Sequence, residues 1–196
     1  MNHRDLSLHT PHGALYGHLR LPTNARGLIA LLRCHQHAVD SLRMENLATH
    51  GLAVLSMDLL TSQELQFSDA TQNVPRLTQR ILDILALIAH DDDMNRLRLI
   101  LWAHGEASPA AIRAATQRDT QVNALICQGG LIDKAGLQGL KFLAAPLLML
   151  LDDDPMTQAA FERAASHLPD CLAREIGDEE SIAPFIIRHL PETPTD

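Results

Sequence analysis

At 196 residues with 46% hydrophobic side chains, the chain has the length and apolar content for one domain with a substantial core. Its formal charge of -8, from 24 acidic against 16 basic residues with no basic block, argues against a nucleic-acid partner. Three cysteines, Cys34, Cys127 and Cys171, without CxxC spacing argue against a disulfide framework or a zinc knuckle and read as buried free thiols. Asn2-His3-Arg4-Asp5 lacks the apolar stretch of a signal peptide, and the longest apolar run, Phe142 to Leu151, is about half a membrane span, so the expected location is cytoplasmic, away from membranes.

In chain order, Leu6–His9 and Ala14–Leu21 alternate apolar and polar side chains around Pro11-His12-Gly13, the pattern of an antiparallel hairpin with one covered face. Short, nearly continuous apolar runs follow at Leu28–Leu32, Ala53–Met57, Leu97–Trp102, Ala124–Cys127 and Leu147–Leu151, as expected of strands covered on both faces. Helical signals separate them. Asp40–His50 is stopped by Gly51, and Met156–Leu168 by Pro169. Val74, Leu77, Ile81, Ile84, Leu85 and Ile88 recur at helical spacing behind an Asn73 cap and Pro75 in the first turn. The alternation predicts an α/β fold: a mostly parallel sheet of about eight strands with helices on both faces, forming a single domain over 1–196 with a frayed 191–196 tail. Ligands of such sheets sit at the carboxyl ends of the strands, and a small-molecule ligand is expected there.

The hairpin feeding a parallel sheet, with a strand running into a sharp turn and helix near the middle, resembles the α/β-hydrolase superfamily in its small dienelactone-hydrolase-like branch. The resemblance covers roughly residues 6–190. It is carried by Gly17-His18-Leu19-Arg20-Leu21-Pro22 with Ala25-Arg26-Gly27-Leu28, by Gly51 to Leu60, by Gln128-Gly129-Gly130, and by Ala145-Pro146-Leu147-Leu148. It implies an α/β-hydrolase fold, no cofactor, and a catalytic triad whose positions can be read here one by one. A homodimer is compatible with the fold.

The family's G-x-S-x-G elbow falls on Ala103-His104-Gly105-Glu106-Ala107, which puts Gly105 where the nucleophile should stand. Asp154, in Asp152-Asp153-Asp154-Pro155, matches the triad acid. Glu180 stands in register with the base, and a carboxylate facing a carboxylate cannot run the relay. Arg33-Cys34-His35-Gln36-His37 replaces the His-Gly pattern of the oxyanion loop. The resemblance therefore implies a degenerate triad on a hydrolase fold, a pseudoenzyme acting as a binding or interaction module. Cys34, His35, His104 and Glu106 are the expected pocket residues.

Two alternatives remain. Ser108 is a displaced-nucleophile candidate for a small ester or lactone hydrolase, though Ser108-Pro109 reads more simply as a helix cap and first turn. His35, His37 and His104 form a candidate soft-metal set, set against a chain of 11 histidines, many in places of no interest. A nucleophilic Cys34 or Cys127 lacks an adjacent base, and Asp152–Asp154 reads as a solvated turn before it reads as a calcium site. Glu106 reads as a residue complementing a helix dipole.

Overall fold

The computed structural model describes residues 2–34, 39–151, 153–169 and 182–190. Seven described strands form one sheet: β1 (Asn2–Thr10), β2 (Gly13–Leu21), β3 (Leu28–Arg33), β4 (Ala53–Asp58), β5 (Leu99–His104), β6 (Val122–Gln128) and β7 (Leu147–Leu150), in the spatial order β1-β2-β4-β3-β5-β6-β7. β1–β2 and β2–β4 pair antiparallel and the remaining neighbours pair parallel. Of the roughly eight strands expected, seven lie among the described residues.

Burial explains each strand's composition. Every residue of β3 is buried, because helices cover both sides of the sheet centre, and its side chains are accordingly apolar up to Arg33. The hairpin strand β2 alternates buried and exposed residues because only one of its faces is covered. β1 starts at Asn2 rather than Leu6: its register with β2 runs from Asn2↔Leu21 to Thr10↔Gly13, so pairing extends the strand beyond its alternating apolar stretch.

Among the described residues the α-helices are α1 (Val39–Thr49), α2 (Val74–His90), α3 (Ala107–Gln117), α4 (Gly136–Lys141), α5 (Pro155–Ala165) and α6 (Ile182–His189). Asn73 caps α2 as expected, its side chain accepting from the Arg76 amide at 3.0 Å, with Pro75 in the first turn. One apolar layer joins the sheet to α2, α3 and α5, with Leu32, Leu77, Ile81, Ala110 and Ala164. The other joins it to α1 and α6, with Ile29, Met44, Trp102, Phe185 and Ile186. Since successive strand residues face opposite layers, Cys34 belongs to the α2/α3 side, while Arg33, Trp102 and His104 face the α1/α6 side.

Candidate functional site

β5 ends at His104 and α3 begins at Ala107, so the chain turns from strand to helix within two residues. Gly105 makes that turn with φ +52°, and a Cβ built on it would meet no heavy atom within 4 Å. The turn is tied to the loop after β6. The Gly105 amide donates to the Gln128 carbonyl at 2.9 Å, and the Ser108 hydroxyl donates to the Gly129 carbonyl at 2.9 Å. Gly130 lies so close that a Cβ there would stand 2.0 Å from the Gly105 carbonyl oxygen. A cavity of about 280 Å³ opens beside the turn. Gly105, Glu106, Pro109, Gly130, Leu131 and Lys134 line it, together with Thr71, Gln72, Val74, Asp154, Met156 and Thr157.

The chain superposes on a dienelactone hydrolase from Anabaena variabilis with a TM-score of 0.79 and 25% identity, over 98% of this chain and 90% of that one. Its fold is that of the α/β-hydrolases. The α/β hydrolase GrgF from Penicillium matches with a TM-score of 0.78 and 12% identity, over 98% and 100% of the two chains. A dienelactone-hydrolase-like promiscuous phosphotriesterase from metagenomic libraries matches at 0.71 and 12%, over 89% and 80%. By sequence, the chain is 27% identical over 158 residues to two Mycobacterium tuberculosis proteins provisionally described as phosphoribosyl transferases. The match covers 78% of this chain and 35% of theirs, so the chain spans about a third of those relatives. No family model matches.

On this α/β-hydrolase fold the sequence-derived site residues separate. Gly105, Glu106 and Asp154 line the cavity together. Asp154 is exposed, and its carboxylate caps α5, accepting from the Thr157 amide (3.0 Å) and hydroxyl (2.9 Å) and from the Met156 amide (3.4 Å). The Thr157 hydrogen bonds hold the carboxyl below its ordinary range. Glu180, His35 and His37 lie outside the described residues. His104 faces the other layer: it stacks on Trp102 with ring centroids 5.9 Å apart, and its Nε2 lies 3.4 Å from Arg43 Nη1. A guanidinium so close to the ring nitrogen is a poor setting for a metal ligand, and the sheet separates His104 from Cys34. No group of three candidate metal ligands occurs among the described residues.

Ser108 is corrected in one respect. It does not cap α3, whose cap position is Glu106, but sits one residue inside the helix, fully buried, with its hydroxyl committed to the Gly129 carbonyl. The two described cysteines are buried free thiols. Burial, reinforced by the nearby Glu106 carboxylate and opposed by Arg80, pushes the Cys34 thiol up to about 12. Burial pushes Cys127 to about 12 as well, and its thiol donates to the Ser108 carbonyl at 3.9 Å. His189 packs on Phe185 in α6, its ring centroid 4.6 Å from the phenyl.

Sequence reasoning missed Lys134, Gln72 and Met156. Lys134 is one of only two lysines in the chain, and both follow β6. That skew against 14 arginines (16 basic residues less two lysines) is the one signal that pointed there. Gln72 and Met156 reach the cavity because a 3-10 turn at Ala70–Gln72 and the start of α5 fold over it, and nothing local in their sequence marks this.

Proposed function

We propose that the chain is a non-hydrolysing member of the dienelactone-hydrolase-like branch that binds a small molecule in the cavity beside Gly105. The vacated elbow carries this reading: glycine stands at the apex, and open space replaces the nucleophile's side chain. Supporting it, Ser108 is buried and bonded away from the cavity, and Cys34 and Cys127 are protonated at neutral pH. Glu106, which lines the cavity directly after the apex, adds negative charge where an oxyanion would need stabilising. In register with the family, Glu180 in place of the base completes the degenerate triad. Among the described residues no helix is long and apolar enough to cross a membrane.

The test is hydrolysis of p-nitrophenyl acetate and a simple lactone, with a heat-treated control. No rate above that control is expected. The hydrolase names of the structural neighbours favour the competing reading, an ester or lactone hydrolase working through displaced residues, and a saturable rate abolished by Ser108→Ala would establish it. The mycobacterial matches favour a further role as a unit that accompanies a phosphoribosyl transferase, since this chain corresponds to about a third of each relative. On that reading the isolated chain shows no phosphoribosyl transfer of its own.

A further inference from the structure

Among the described residues, two charged side chains at the cavity, Glu106 and Lys134, take part in no ion pair. α2 and α5 are each capped by a side chain, Asn73 and Asp154, that accepts from amides of the first turn. Glu106 holds the equivalent place on α3 and makes no such hydrogen bond, because the Ser108 amide already donates to the Gly105 carbonyl at 3.0 Å and Pro109 has no N–H to offer. Glu106 lines the cavity instead. Lys134 lines the same cavity, and its one described hydrogen bond goes to the neutral Gln72 Oε1 at 2.7 Å. The neighbouring carboxylate of Asp133 is already taken by Arg163 at 2.7 Å. Val74, Leu131 and Met156 supply apolar wall in the same space.

We propose that the cavity takes a short zwitterion of the ω-amino-carboxylic-acid class. Its ammonium sits on Glu106, its methylene chain lies along the apolar wall, and its carboxylate sits on Lys134. This rests on the cavity being a ligand site, as proposed above. Burying an alkyl chain supplies most of the affinity, at a yield set by the apolar area covered. The charges then select the ends. The ammonium end counts for more, because Glu106 and Asp154 outnumber Lys134 in the lining and a chain of net charge -8 attracts cations. Partly solvated pairs of this kind change affinity by roughly two- to fivefold each.

Titration calorimetry of 6-aminohexanoate, hexylammonium and hexanoate against the intact chain at low salt tests the assignment. The expected order is 6-aminohexanoate tightest, hexylammonium next and hexanoate weakest. Glu106→Gln should weaken the two ammonium probes by roughly two- to fivefold and spare hexanoate, while Lys134→Gln should weaken the two carboxylate probes and spare hexylammonium. Hexanoate binding as tightly as the zwitterion, or probes indifferent to both substitutions, overturns the zwitterion. Leu131→Trp, which fills the cavity, separates this failure from failure of the site itself. Probes that bind Leu131→Trp as well as wild type show that they bind elsewhere and overturn both readings, as does the absence of binding by all three.

Discussion

Replacing Gly105 and Gly130 separately by alanine distinguishes two kinds of glycine requirement at the same turn. At Gly105 the φ of +52° is the only obstacle, since an added Cβ meets nothing within 4 Å. A left-handed conformation costs a residue with a side chain about 1–2 kcal/mol, so Gly105→Ala should lower stability by about that much. For a domain of this size that is a fall of about 2–8 °C in Tm. At Gly130 φ is +89°, and the new Cβ would also stand 2.0 Å from the oxygen and 2.7 Å from the carbon of the Gly105 carbonyl. Both neighbours are backbone, so relief requires the β6 loop and the elbow to move apart. That motion strains the Gly105–Gln128 and Ser108–Gly129 hydrogen bonds, and each buried group left unpaired adds about 1–3 kcal/mol. Gly130→Ala should therefore cost at least about 3 kcal/mol, measured by urea unfolding alongside circular-dichroism melts. Equal losses at the two positions, or an unchanged or raised Tm for Gly105→Ala, would refute the elbow geometry. Gly105→Ser should match Gly105→Ala in stability and gain no esterase activity, because a hydroxyl without a base is a poor nucleophile.

Glu64 offers a test of acid stability. Burial pushes its carboxyl up, but hydrogen bonds from Arg80 and Thr61 and the charge of Arg80 outweigh this and hold it at about 2. Because the folded value lies below the ordinary 4.5, the stabilisation is complete above about pH 4.5 and fades as pH falls towards 2. The stability gap between wild type and Glu64→Gln, followed by urea unfolding, should shrink through that window, and a gap constant from pH 6 to 3 would refute the assignment. For the thiols, values near 12 leave about one molecule in ten thousand as thiolate at pH 8. Cys34 and Cys127 should therefore react with Ellman's reagent only on unfolding. Three thiols titrating within minutes in the native protein would contradict their burial.

The sheet was legible because its strands are buried on both faces, which forces continuous apolar runs such as Leu28–Leu32, and because Asn73-Val74-Pro75 carries its cap and first-turn chemistry locally. The strand limits were less so. β1 gains its first residues by pairing with β2 as far as Leu21, a tertiary effect, and β5 shifts two residues towards Gly105, ending at His104. Gly105 was readable from the string Ala103 to Ala107, but the fate of Ser108 was not, since its hydroxyl is spent on a carbonyl 21 residues away. Which layer a strand-end side chain joins also escaped the sequence. His104 and Cys34 end adjacent strands, yet one meets Arg43 and Trp102 while the other packs into the α2/α3 layer. Lys134 and Met156 entered the site only because distant segments close over the elbow.

The contact between Gly130 and the Gly105 carbonyl bears on how such a chain can diverge. A requirement of catalysis on the apex lapses once the reaction is abandoned, and position 105, with open space above it, can then drift among residues tolerant of a left-handed backbone. Position 130 has no such freedom, because what excludes its side chain is main chain that stays in place whatever residue sits at the apex. On the non-hydrolysing reading proposed above, selection for folding alone would keep watch over the second glycine after selection for chemistry had left the first, and the architecture of an active site would outlast its use.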